Sequence, residues 1–279
     1  METSTDFTQV KKTIQGHDVP ALGFGTFQLE GRDCYDGVRH ALDLGYRHVD
    51  TAQMYGNEEQ VGQAIQDSGV AREEIFLTTK IWFENLTSKK VRSSTERSLE
   101  KLQVERVDLL LIHWPNDDVP LEETLAAMLE LREKGWTRHV GVSNFPPSWL
   151  ERALKVAPVF CNQVEHHPFL GQGTLLDMAR QHGMLLTAYS PLARGLVPKD
   201  PTLQEIGRAH GKSAVQAALR WLIQQPDVAA IPKASTAEHR RANFEIFDFE
   251  LSDDEMQRID GLARGQRVID PGFAPDWER

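Results

Sequence analysis

VDTAQMYGNEE, residues 49–59, begins where a short hydrophobic run ends and sets Asp50 and Tyr55 five positions apart. Two further runs finish in the same manner, IFLTTK (75–80) on Lys80 and VDLLLIH (107–113) on His113. Three apolar strands thus each deliver an ionisable group at or near the carboxyl end, and a tyrosine follows the first. In a parallel barrel those ends share one face, where such enzymes keep their chemistry. Asp50, Tyr55, Lys80 and His113 converging there make a set of groups able to hold and donate a proton.

Working outward, the remaining apolar runs are ALGFGTF (21–27), RHVDTA (47–52), HVGVSN (139–144), FCNQVEH (160–166), LLTAYS (185–190) and VAAIPKA (228–234). With IFLTTK and VDLLLIH they number eight, spaced as repeated strand–helix units. Their near-continuous hydrophobicity suits parallel strands buried on both faces. The segments between them read as helices. Val91, Thr95, Leu99 and Leu102 form one stripe behind a Thr87 or Ser88 cap. Leu121, Leu125 and Met128 form another before Gly135, and Ser252 with Glu255 makes a capping box ahead of Met256 and Ile259. No linker or low-complexity tract interrupts the series. An α/β chain of this kind is expected to be a single (β/α)8 TIM barrel, one domain over residues 1–279. Residues 7–20, FTQVKKTIQGHDVP, suggest an N-terminal β-hairpin around a Gly-His-Asp turn, plugging the amino end of the barrel. The tail after Arg267, VIDPGFAPDWER, reads as a short irregular flap.

Composition narrows the function. A net charge of −10 argues against broad nucleic-acid binding. No apolar run approaches the roughly 20 residues that span a bilayer, and METSTDFTQVKK lacks the layout of a secretory signal. Cys34 and Cys161 are the only cysteines and have no zinc spacing, so no metal is expected and a reducing cytoplasm is the default. Nothing demands an interface, which leaves a monomer acting on a small molecule.

The ends of the eight runs carry Phe27, Thr51 with Ala52, Lys80, His113, Asn144, His166, Ser190, and Lys233 or Ala234. Strands that merely run into polar loops account for a Ser or an Asn. They account poorly for Lys80, which is costly in a barrel mouth unless paired, and Asp50 is the obvious partner. An ammonium beside a tyrosine stabilises the phenolate, lowering a phenol pKa that is ordinarily near 10. Asp50 would keep Lys80 charged and oriented, and His113 could hydrogen-bond a carbonyl oxygen. Taken singly, each of these residues has a commoner structural use. On consecutive strand ends they favour chemistry.

The segments VDTAQMYGNEE, TTKIW, VDLLLIHWP, VGVSNF, NQVEHHPF, TAYSPLARG and IPKAST together resemble the aldo-keto reductases over the whole chain. Within the family the resemblance is to the bacterial 2,5-diketo-D-gluconate reductase and methylglyoxal reductase group. It implies reduction of aldehydes and ketones by a nicotinamide, with the same four residues in the same roles. It also implies that Ser143, Asn144 and Gln163 bind the carboxamide and that Tyr189 stacks on the ring, with Thr26 and Asn243 as further cofactor contacts. No dinucleotide fingerprint is present, because GFGTFQ (23–28) has Gln28 where a glycine is needed. The Tyr-x-x-x-Lys pair of short-chain dehydrogenases is also absent. The phosphates would therefore fall to the loops after the last two strands. Those loops hold Ser190, Leu192 and Arg194, then Lys233, Ser235, Thr236, His239, Arg240 and Arg241. Lys233 is the expected contact to a 2′-phosphate, and Arg240 and Arg241 suit a solvated helix start.

Two positions depart from the family pattern. His239 stands where an arginine is usual, and Ala242 where a glutamate is. A mostly neutral imidazole without the guanidinium fork implies NADPH preference weaker than usual, with NADH tolerated. Phe27, Trp82, Trp114 and Trp277, joined by Phe273, are expected to line an open pocket for small dicarbonyls, sugar-derived ketones or aromatic aldehydes. Two competing readings are a barrel aldolase using Lys80 as a Schiff base, which pairing with Asp50 opposes, and a nicotinamide-binding sensor without catalysis.

Overall fold

A computed structural model describes residues 9–277. It opens with an antiparallel hairpin, β1 (Lys11–Ile14) and β2 (His17–Pro20). The turn is Gln15–Gly16, both left-handed at φ 49° and 80°, as a tight hairpin linkage requires. His17 and Asp18, expected in the turn, lie instead in β2. Phe7 and Thr8 of the expected hairpin lie outside the described residues.

Eight parallel strands follow: β3 (Phe24–Gly25), β4 (His48–Asp50), β5 (Phe76–Ile81), β6 (Val107–Ile112), β7 (Thr137–Ser143), β8 (Cys161–Glu165), β9 (Leu185–Tyr189) and β10 (Val228–Ala230). They pair strictly in chain order in one eight-stranded sheet. The sheet curls until its ends meet: Leu22 and Ala230 form a parallel bridge, and Gly23 N donates to Ala230 O at 2.8 Å. Intervening and flanking helices are α1 (Gly31–Leu44), α2 (Glu58–Asp67), α3 (Ser88–Leu102), α4 (Leu121–Glu133), α5 (Pro147–Val156), α6 (Gly173–His182), α7 (Pro201–Ala209), α8 (Ala214–Gln224), α9 (Ala237–Phe244) and α10 (Asp253–Asp260). None among the described residues is long and apolar enough to cross a membrane.

The expected helical stripes are buried: Val91, Thr95, Leu99 and Leu102 on α3, and Leu121, Leu125 and Met128 on α4. Ser252 and Glu255 form the full capping box of α10, whereas Thr87 precedes α3 without a side-chain capping bond. The first and last strands are much shorter than their apolar runs. At the seam the backbones approach so closely that a Cβ on Gly25 would sit 2.8 Å from the Ile231 carbonyl oxygen. Pro232, just beyond β10, has no N–H to donate, while its carbonyl still accepts from Gly25 N at 3.1 Å.

Inside the sheet, Phe76, Leu109, Leu111, Phe160, Cys161, Leu185 and Ala229 pack together with Ile14 and Val19 from the hairpin, which therefore closes that end. Two histidines share this interior: His48 meets Phe76 edge-on at 5.1 Å and His139 stacks on Phe160 at 3.8 Å. Burial lowers the pKa of both, His139 to about 4, and likewise that of His166 to about 4. A depressed folded-state pKa means the unfolded chain takes up protons first. This stabilisation is complete above the ordinary histidine value and is lost as pH falls from there toward about 4. Between pH 7 and 5, His166 should remove about 2 kcal/mol of stability and the less enclosed His139 a smaller amount. Urea unfolding at the two pH values measures this, and an unchanged midpoint would contradict it.

Candidate active site

Strand register brings the four ionisable groups together. Asp50 ends β4 beside Thr78 of β5, and Lys80 lies two residues further along, on the same face. Lys80 pairs with Leu111 of β6, and His113 stands two residues beyond that. Tyr55 arrives on a single helical turn, Gln53–Tyr55, ended by Gly56 in the left-handed region.

Lys80 is fully buried and uses all three of its donors. Its Nζ donates to Asp50 Oδ1 at 2.5 Å, to the Thr51 carbonyl at 2.9 Å and to Tyr55 Oη at 3.2 Å. Burial alone would pull the ammonium down, but Asp50 and Tyr55 outweigh it, so Lys80 titrates above its ordinary value. Tyr55 departs from expectation. Burial raises the phenol pKa, and Lys80, pulling the other way, does not overcome it. The phenol therefore keeps its proton throughout the neutral range. Burial, reinforced by the Lys80 charge, holds His113 well below its ordinary value, so its ring is neutral. Its buried Nδ1 has no hydrogen-bond partner, and the ring lies 5.7 Å from that of Tyr55.

The residues expected at the nicotinamide join this cluster. Gln163 Nε2 donates to Asp50 Oδ2 at 2.7 Å, tying the amide group to the carboxylate that holds Lys80. Ser143 Oγ donates to the Gln163 carbonyl at 2.8 Å. Asn144 Nδ2 donates to the His113 carbonyl at 2.9 Å, and Tyr189 Oη donates to Asn144 Oδ1 at 2.6 Å. Thr26 lies beside them: its side chain is fully buried, and its hydroxyl donates to the Asp50 carbonyl at 3.0 Å. It braces the tetrad from inside the protein.

The phosphate-binding candidates sit on the next strand ends. Ser190, Ala193, Arg194 and Gly195 all adopt left-handed backbone, with Leu192 half-buried among them and Arg194 exposed. Lys233 and Ser235 are exposed beyond β10, with Nζ of the lysine donating to the serine hydroxyl at 2.9 Å. His239 is exposed on the first turn of α9, and its N–H is capped by Thr236. Asn243 is buried on the same helix. Arg240 is not part of a solvated helix start. It is buried, and its Nη1 donates to the carbonyls of Ala234 and Ser235 at 3.1 and 3.0 Å. Its Nε donates to His40 Nδ1 at 3.1 Å, so it braces the Lys233 loop from below.

Flat apolar walls surround the tetrad. Phe27 lies 5.0 Å from the Tyr55 ring and Trp82 5.4 Å from His113, while Trp114 meets Trp277 at 6.0 Å. The short tail reaches this mouth. Phe273 packs edge-on to Trp82 at 5.7 Å and to Trp114 at 5.4 Å, because those rings offer apolar area no polar tail could cover.

Gln53 and Asn57 were not singled out by the sequence reading, yet both fasten the site. Gln53 Oε1 accepts from Trp82 N and Asn85 Nδ2, each at 3.1 Å, linking the Tyr55 turn to the Trp82 loop. Asn57 accepts from Thr51 Oγ1 at 2.7 Å and donates to the carbonyls of Thr26 and Leu29, each at 2.9 Å. Their place in the 49–59 stretch was the available signal.

Residues 21–264 match the model of the aldo/keto reductase family. The chain is 39% identical over 266 residues to methylglyoxal reductase DkgB of Escherichia coli O157:H7, covering 93% of this chain and 99% of that one. It is 43% identical over 268 residues to a glyoxal reductase of Bacillus subtilis (strain 168), covering 94% and 96%. Its fold superimposes with a TM-score of 0.94 on a crystal structure of a candidate 2,5-diketo-D-gluconic acid reductase B, at 48% identity over 97% of this chain and 98% of that one. The chain belongs to the aldo/keto reductase family.

Proposed function

We propose that the chain, as one closed (β/α)8 barrel over residues 1–279, reduces aldehydes and ketones with NADPH. The observation that carries this reading is the buried relay Asp50–Lys80–Tyr55, with a neutral His113 beside it. The family uses nicotinamide cofactors, and this chain's residues fit one. Ser143, Asn144 and Gln163 present a hydroxyl and two amides, all buried and already cross-linked by hydrogen bonds, which matches a carboxamide. Lys233 and Ser235 are exposed where phosphates would reach them. A bound reduced nicotinamide supplies the hydride that goes to the carbonyl carbon.

The protein supplies the proton and the geometry. Tyr55 Oη gives its proton to the carbonyl oxygen, and Lys80, at 3.2 Å, stabilises the phenolate left behind. Asp50 and Gln163 hold the lysine in register. Neutral His113 offers its N–H to the carbonyl oxygen and keeps a second cation out of the site. Because burial raises the Tyr55 pKa, the phenol stands at neutral pH in the acid form that carbonyl reduction uses. Its aromatic walls suit small dicarbonyls, sugar-derived ketones and aromatic aldehydes; the relatives named for methylglyoxal and glyoxal favour the first of these. The charged, paired state of Lys80 argues against a Schiff-base aldolase, and the complete tetrad argues against a mere sensor.

Specificity for the extra phosphate rests on Lys233 and Ser235 without a guanidinium at 239. Kinetics with NADPH and NADH in parallel should show NADPH preferred and NADH measurably active. Strong NADPH turnover with no detectable NADH turnover would contradict the role given to His239.

A further inference from the structure

Glu165 ends β8 as a fully buried carboxylate that the proton-transfer scheme does not use. A carboxylate in such a place is costly unless its oxygens are hydrogen-bonded. Here Oε1 accepts from Val268 N at 2.7 Å and from His167 Nε2 at 2.8 Å. Oε2 accepts from Ile269 N at 2.8 Å, with the Arg267 guanidinium 3.9 Å away. Two consecutive backbone amides of the C-terminal segment therefore end on one side chain of the sheet. Nearby, Arg264 N and Gln266 N both donate to the Phe169 carbonyl, at 3.2 and 3.0 Å.

Downstream of this strap the segment turns back toward the mouth. Trp277 Nε1 donates to Asp270 Oδ1 at 2.9 Å, and Arg267 lies 3.7 Å above the Trp277 ring. Phe273 is set between Trp82 and Trp114. Phe273 and Trp277 thus hang from a segment fixed over residues 264–269, whose last tie before the two rings is the pair of amides on Glu165.

We infer that Glu165 is a positioning residue that anchors the C-terminal segment and thereby sets the size of carbonyl substrate the mouth admits. What the mouth admits rests on the carbonyl-reductase reading; the anchor itself does not. Glu165→Gln keeps the shape but turns an N–H2 toward one of the two backbone amides. Hydrogen exchange of residues 268 and 269 should then accelerate at least about tenfold. The ratio of kcat/KM for a bulky aromatic aldehyde over that for methylglyoxal should rise by about tenfold, mainly through KM. Should Glu165→Gln fail to fold, Val268→Pro removes one donor, leaves the carboxylate and the sheet intact, and is expected to speed exchange at Ile269 and to raise the size ratio in the same direction. Unchanged exchange, or an unchanged size ratio in a folded variant with faster exchange, would overturn the proposal. A wild type that turns over no carbonyl counts against the reductase reading instead, and the exchange data still decide the anchor.

Discussion

Replacing Tyr55 by phenylalanine is expected to lower kcat for carbonyl reduction by about 10²–10⁴-fold while leaving cofactor affinity nearly unchanged. The substitution deletes one oxygen, whose recorded contact is the 3.2 Å bond from Lys80. The ring itself stays packed between Phe27 at 5.0 Å and His113 at 5.7 Å, so the fold and the walls of the site should persist. The carboxamide-matching groups Ser143, Asn144 and Gln163 make no recorded bond to the phenol oxygen. Steady-state kcat together with a fluorescence titration of NADPH separates the two effects. A kcat within threefold of wild type would mean that another group donates the proton, with His113 the first to examine.

The second large effect concerns the pair beneath Tyr55. Lys80→Met should abolish most activity and cost about 3–5 kcal/mol of stability, because it leaves Asp50 as a buried charge without its counterion. Asp50 would keep the Gln163 amide at 2.7 Å, which offsets only part of the loss. The double variant Lys80→Met/Asp50→Leu removes both charges and should recover much of that stability while remaining inactive. Urea unfolding of the single and double variants, alongside kcat, tests this. A Lys80→Met protein as stable as wild type would show that the ion pair is not isolated from water. A double variant that regains activity would remove the lysine from the mechanism.

The tetrad was legible because each member ends, or closely follows, an apolar run, and only a few uses of a lysine or histidine suit that position. The groups that hold it were not. Arg240 meets His40 across 200 positions and Glu165 meets Val268 across 103, separations at which no local pattern pairs one polar residue with another. Arg240, read as a solvated helix start, is the clearest case, since its exposure depends on the loop folded over it. Strand lengths failed at the seam. Residues 21–27 and 228–234 look as apolar as the central strands, yet pair over two and three residues. The seam is joined by a bridge and by hydrogen bonds such as Gly25 N to Pro232 O, where the proline has no N–H to return, and none of this shows in hydrophobicity. The Tyr55 pKa failed for a related reason: Lys80 is visible in the sequence, but the extent of burial that outweighs it is not.

Following the loss of reduced-nicotinamide absorbance with methylglyoxal, for wild type and Tyr55→Phe side by side, tests the central claim most directly. Carbonyl reduction by the tetrad predicts NADPH oxidation that requires both the carbonyl and the Tyr55 hydroxyl. A wild-type protein that binds NADPH tightly yet turns over neither methylglyoxal nor any member of a broad carbonyl panel would contradict it.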